Sequence, residues 1–268
     1  MPELAPALLA AYAGLGLLVG FVAGLLGVGG GLIIVPVLIM LLHAQGLAAG
    51  IEPQVALGTS LASILFTSLS SVRAHHRRGA VDWPLVGRIA PGILAGTLAG
   101  ALVAAQVPAT LLKGFFVVFL FYAAAQMWAD FKPAPHRGLP GRAGTTLAGG
   151  VIGAVSSWVG IGGGTLSVPF MLWHNIPLHR AIATSAAIGF PIAFAGAIGY
   201  VLGGRDSPDL PAASLGFVYL PALAGIVVGS VLTAPLGAAT AHRLPVRPLK
   251  RAFALLLLTL ALRMAWTL

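Results

Sequence analysis

The stretch LLGVGGGLIIVPVL at residues 25–38 returns as WVGIGGGTLSVPFM at residues 158–171. Each copy holds a glycine, an aliphatic residue, three consecutive glycines, a short apolar run and a Val-Pro pair. Glycine weakens a helix by about 0.8–1 kcal/mol relative to alanine, so three in succession interrupt one. Both knots sit in chain as apolar as a membrane span. Open backbone is tolerated there only when it is buried in protein or lines a wet cavity. The pattern therefore predicts two broken or re-entrant helix pairs. Segments 6–27 and 144–160 lead into the knots, and short helices start near Gly31-Leu32 and Gly164-Thr165.

The surrounding composition sets the class. Of 268 residues, 58% are hydrophobic and only 8% charged, against about 25% charged in soluble domains. Helices apolar all round belong in lipid or in the core of a large protein, and this chain is too short to bury so many. Apolar segments fall at about 6–27, 31–43, 54–72, 85–106, 110–130, 144–160, 164–174, 178–202, 213–235 and 249–268. Most can cross about 30 Å of hydrocarbon. The segments 31–43 and 164–174 extend only about 16–20 Å, and both begin at a glycine knot. The expected fold is an all-α integral membrane protein with about eight to ten membrane segments.

The net charge of +9 reads as a topology signal and not as a nucleic-acid footprint, because the basic residues occupy short loops. Arg73, Arg77, Arg78 and Arg88 flank one loop, and Lys132, Arg137 and Arg142 lie in a central linker. Arg180 marks a third loop; Arg243, Arg247, Lys250 and Arg251 mark a fourth. Placing these on the cytoplasmic side collects 12 of the 15 basic residues and leaves Lys113, Arg205 and Arg263 outside, with Glu52, Asp206 and Asp209 in outer loops. The two halves then have the same elements in opposite orientation. The expected organisation is a first repeat at 1–130, a cytoplasmic linker at 131–143 and a second, inverted repeat at 144–268. VALGTSLASI against RAIATSAAIG, APGILAG against LPALAG, and PATLLK against PVRPLK extend the match beyond the knots. Inverted repeats are the hallmark of secondary transporters and channels.

Several classes are excluded. No cysteine means no disulfide, thiolate metal site or iron–sulfur cluster. No GxxxxGK[ST] run is present, so this chain carries no ATP motor of that class. The six acidic residues lie at a span end (Asp130), in loops or near the N-terminus, which leaves no pump-type carboxylate relay. His75-His76 lacks a third ligand, and the spans hold no nucleophile–base–carboxylate set. The expectation is a non-enzyme without cofactor or metal, whose partners are a small anion and the lipid bilayer. MPELAPALLA lacks a basic n-region and reads as mature chain.

The first amides of a helix have no intrahelical acceptor, and the helix dipole adds partial positive charge there. Two opposed repeats would aim two such ends at one midplane anion. The alternative is that the glycines serve close helix packing, although packing glycines usually recur every four residues. Hydroxyls offer further donors. Thr59, Ser60, Ser63, Thr67 and Ser71 form a stripe on one helix face, and Thr184-Ser185 open the equivalent helix. Each can equally bond back to its own helix or join helices. Pro36 and Pro169 mark kinks in the short helices. His43 and His174 lie near the ends of those helices, and Trp83, Trp128 and Trp266 fit interfacial anchors.

The paired GVGGGLIIVP and GIGGGTLSVP, each followed by GTS or ATS, resemble the sulfite exporter TauE/SafE family of membrane permeases across essentially the whole chain. The resemblance implies a bacterial-type inner-membrane permease for sulfite, sulfoacetate or another organosulfonate. It also implies substrate-binding positions at Gly29, Gly30, Gly31, Thr59 and Ser60, and at Gly162, Gly163, Gly164, Thr184 and Ser185. Thr165, where the first half has Leu32, departs from the repeat and makes the expected site asymmetric. An alternating-access exporter is expected; a channel-like anion pore and an uptake permease for another sulfur oxyanion are the alternatives.

Overall fold

The computed structural model describes residues 4–26, 30–47, 50–129, 138–241 and 246–267. Helices α1 (Leu4–Leu26), α2 (Gly31–Ala44), α3 (Glu52–Arg77), α4 (Trp83–Gln106) and α5 (Ala109–Ala129) make up the first half. Helices α6 (Arg142–Val159), α7 (Gly164–Trp173), α8 (Leu178–Gly203), α9 (Leu220–Ala241) and α10 (Val246–Trp266) make up the second. A two-stranded antiparallel hairpin, β1 (Ser214–Leu215) and β2 (Val218–Tyr219), precedes α9. The chain is an all-α integral membrane protein. By length and composition α1, α3, α4, α5, α8 and α9 can each span a bilayer. In α6 glycine, serine and threonine lower the hydropathy; in α10 Lys250, Arg251 and Arg263 interrupt the apolar run.

Close backbone approach organises the packing. Helix α1 lies along α9, where a Cβ on Gly16 or Gly20 would overlap the backbone of Ile226 or Ser230. Gly225 and Gly229 return the contact against Tyr12 and Ala13. Helix α6 lies along α4 in the same way: Gly92 and Gly96 press on Thr146 and Gly150, and Gly149 and Gly153 press on Ile89 and Ile93. These glycines are spaced by four, the signature of small-residue helix interfaces in lipid. Helices α3 and α8 pack on each other, as do α5 and α10. Exchanging each element of the first half for its counterpart five places on leaves this pattern of neighbours unchanged.

The core is built around the short helix α2. Leu32, Ile33, Ile34, Val35, Leu38 and Leu42 are all buried, packed with Val55, Leu57 and Leu61 of α3. Lipid-facing side chains such as Leu17, Leu18, Val231 and Leu232 are exposed on α1 and α9. This is the arrangement required when the surrounding solvent is hydrocarbon. Trp83, Trp128 and Trp266 are exposed near helix ends.

Two boundaries differ from the sequence reading: the helix expected to end at 72 runs on to Arg77, with His75 and His76 in its last turn. The apolar segment expected at 213–235 is a helix only from Leu220, and it continues to Ala241. Residues 214–219 instead form the hairpin, turned at Gly216 with φ +54. Phe217 donates its amide to the Tyr200 carbonyl (3.1 Å), so the hairpin clamps onto the end of α8. A Cβ at Gly216 would overlap the Val201 carbonyl.

Candidate functional site

Both knots break their helices. Helix α1 ends at Leu26 and α2 begins at Gly31; α6 ends at Val159 and α7 begins at Gly164. Gly29 lies outside the described residues. Gly30 and Gly163 are the N-caps, and neither supplies a side chain to the amides that follow. The Gly30 carbonyl accepts from Ile33 and Ile34, both at 3.0 Å. The Gly163 carbonyl likewise accepts from Leu166 and Ser167, at 3.0 and 2.8 Å. In the second knot Gly160 (φ +67) and Gly163 (φ +79) occupy the left-handed region, which fits glycine because it has no Cβ. Pro169 has no amide to give the Thr165 carbonyl, and Pro36 does the same for Leu32.

The two knots meet. A Cβ on Gly31 would overlap the Gly160 carbonyl oxygen, so the start of α2 rests on the end of α6. Ser60 reaches the same spot and donates to the Gly160 carbonyl at 2.8 Å. On the other side the Gly162 carbonyl lies against α8 at Gly189. Close packing therefore accounts for Gly31 and Gly160. At the buried Gly163 a Cβ would overlap Ile192 Cδ1, so packing bears on that position too; Gly162 and Gly164, by contrast, are partly exposed, whereas Gly30 and Gly31 are buried.

The repeated threonines occupy matched positions. Thr59 Oγ1 accepts the amide of Tyr219 (2.9 Å), immediately before α9. Thr184 Oγ1 accepts the amide of Asp82 (3.0 Å), immediately before α4. Each hydroxyl tethers the start of the fourth helix of the opposite half and keeps its own proton to donate. Ser185 accepts from Ser167 at 2.8 Å. All four hydroxyl residues are buried. Farther along α3, Ser63 and Thr67 bond back to the carbonyls of Ser60 and Ile64. At α7 the pattern changes: Thr165 Oγ1 and Ser156 Oγ are buried without a hydrogen-bond partner.

Two features escaped the sequence reading. Ser156, one turn before the second knot, gives no signal in one half alone; it shows when the halves are compared, because Ala23 stands at the matching place. Glu52, expected in an outer loop, is the first residue of α3 and fully buried. His43 Nδ1 lies 2.8 Å from one of its oxygens, and Lys113 donates to the other at 3.3 Å. A buried carboxylate requires such partners. This ion cluster ties α2, α3 and α5 together away from the knots. Among the described residues no Lys or Arg is buried at either knot, which leaves dipoles and hydroxyls to meet any charge held there.

An apolar chain folded into long helices, with two interrupted hairpins packed on each other at its centre, is a multi-pass membrane protein of transporter type. The model of the family described as "Sulfite exporter TauE/SafE" matches residues 12–264. The chain belongs to that family and is a membrane transporter, not an enzyme. It is 36% identical over 250 residues to a "Probable membrane transporter protein" of Haemophilus influenzae, covering 93% of this chain and 95% of the relative. It is 31% identical over 214 residues to the "Probable membrane transporter protein YunE" of Bacillus subtilis, covering 71% and 77%. It is 28% identical over 243 residues to that organism's "Probable membrane transporter protein YdhB", covering 88% and 91%. No solved structure matches the chain.

Proposed function

We propose that the protein exports sulfite or a small organosulfonate such as sulfoacetate across a bacterial-type cytoplasmic membrane, by alternating access between two inverted repeats. The observation that carries this reading is the pair of interrupted helices whose short second arms start at glycine, with the amides of Gly164 and Thr165 meeting no acceptor among the described residues. Such helix starts favour an anion, and they do so without a buried cation, which costs about 2.5–3.5 kcal/mol or more at the bilayer centre. The two knots, at Gly30-Gly31 and Gly162–Thr165, frame the site together with Thr59, Ser60, Thr184 and Ser185. The exchange of neighbours between the halves supports the division into repeats at 1–130 and 144–268, and the distribution of Lys and Arg supports a cytoplasmic linker between them.

Tight packing at the contact between the knots favours a carrier over a standing pore. Clefts of about 460 Å³ and 440 Å³ lie at the α4–α6 and α6–α7 surfaces, and neither is lined by Gly30 or Gly31. With a negative interior an anion leaves downhill by about 2.3 kcal/mol per charge per 100 mV, so export needs no motor. The test is efflux of radiolabelled sulfite from proteoliposomes held interior-negative, compared with sulfate and acetate. Faster loss of sulfite than of either competitor is expected. Absence of sulfite flux contradicts the substrate, and ionic currents far above carrier turnover establish a pore instead.

A further inference from the structure

We infer that the anion is held on one side only, at the start of α7, by the hydroxyls of Ser156 and Thr165 together with the amides of Gly164 and Thr165. This rests on the proposed transport of a sulfur oxyanion and assigns the residues that recognise it. The start of α7 has more than a helix terminus. Ser156 is fully buried and Thr165 is 6% exposed, and neither hydroxyl oxygen has a hydrogen-bond partner. Ser156 Oγ stands 3.7 Å from where a Cβ on Gly163, the N-cap of α7, would sit. The amides of Gly164 and Thr165 meet no acceptor among the described residues. Four donors at and beside the start of α7 thus lack an acceptor among the described residues, and buried polar groups are normally paired.

Serine and threonine in membrane helices usually bond back to their own carbonyls. Ser157, the next residue, does so, donating to the Ala154 carbonyl at 2.7 Å. Ser156 does not. The equivalent places in the first half are Ala23 and Leu32, which carry no hydroxyl. That half instead seats Gly31 against the Gly160 carbonyl. The first knot therefore acts as the brace and the second as the receptor. A tetrahedral or pyramidal oxyanion spreads its acceptor oxygens in three dimensions and can meet donors that reach it from two helices, whereas a carboxylate presents its lone pairs in a single plane. This chemistry selects sulfite or a sulfonate over a carboxylate of similar size.

The experiment is calorimetric titration of the purified full-length protein with sulfite, and with acetate for comparison. The chains are wild type, Ser156→Ala, Thr165→Val, Thr165→Ser and Ser230→Ala. Ser230 is also buried, but its hydroxyl is already bonded within α9 to the Val227 carbonyl at 3.1 Å. Sulfite affinity should fall about tenfold or more in Ser156→Ala and Thr165→Val, the worth of a hydrogen bond to a charged group. Thr165→Ser and Ser230→Ala should bind as wild type does. Wild-type binding with undiminished affinity in both deletions overturns the one-sided site and leaves the transport reading standing. Equal weakening in Ser230→Ala, or no rescue by Thr165→Ser, assigns the loss to packing and also overturns it. Failure of the wild type to bind sulfite removes the transport reading itself.

Discussion

Glu52 shows how one residue can hold three helices. Its carboxylate is fully buried, with Lys113 at 3.3 Å and 14% exposed, and the more exposed His43 at 2.8 Å. Removing one partner of a buried pair leaves the other uncompensated, which costs about 3–5 kcal/mol. Glu52→Gln is therefore expected to lower the thermal aggregation midpoint in detergent sharply. Replacing Glu52 and Lys113 together by leucine should recover most of that loss, because a well-packed apolar pair is often as stable as an ion pair. A double variant as unstable as the single one would show that the cluster does more than pair charge. Nothing in the sequence around Glu52 announced this. A lone carboxylate before an apolar segment reads as loop, and Lys113 comes to it only through tertiary packing. The threonines were half legible: the TS pairs stood out by repetition, but their bonds to the Tyr219 and Asp82 amides come from the other half of the chain.

The elements themselves were largely readable, because lipid imposes length and hydropathy together. The short helices start at Gly31 and Gly164, where the triple glycines end. The misread hairpin at 214–219 has ordinary apolar residues; only Gly216 distinguishes it, and its turn depends on the end of α8. Within the second knot the glycines differ in what they must do. At Gly160 alanine would take a left-handed conformation that costs about 1–2 kcal/mol. It would also crowd Val35 Cγ2 at 2.9 Å and Leu57 Cδ2 at 3.0 Å. Gly162 has no positive φ, and a Cβ there meets only Ile64 Cγ2 at 3.3 Å and Gly189 Cα at 3.9 Å. Gly160→Ala should accordingly lose at least about 1–2 kcal/mol of stability. Gly162→Ala should fold like the wild type, yet slow sulfite flux roughly tenfold by covering backbone that the anion approaches. Thermal unfolding paired with vesicle flux separates the two; a Gly162→Ala protein with full flux would remove that position from the site.

At the level of the whole molecule, two halves brace each other through the same contacts used twice: α1 on α9 and α6 on α4. Such exchange fits the proposed carrier, in which rocking one half against the other would expose a central anion to either side in turn. The polar equipment is nonetheless unequal, with Ser156 and Thr165 facing no counterpart beyond Ala23 and Leu32. The decisive measurement is an anomalous difference map from crystals grown with selenite, the heavier congener of sulfite. The expected result is a selenium peak within about 4 Å of the Gly164 and Thr165 amide nitrogens, the reach of one N–H···O bond plus the oxyanion radius. Ordered selenium elsewhere, with the start of α7 packed only by apolar side chains, would contradict an anion held by bare backbone.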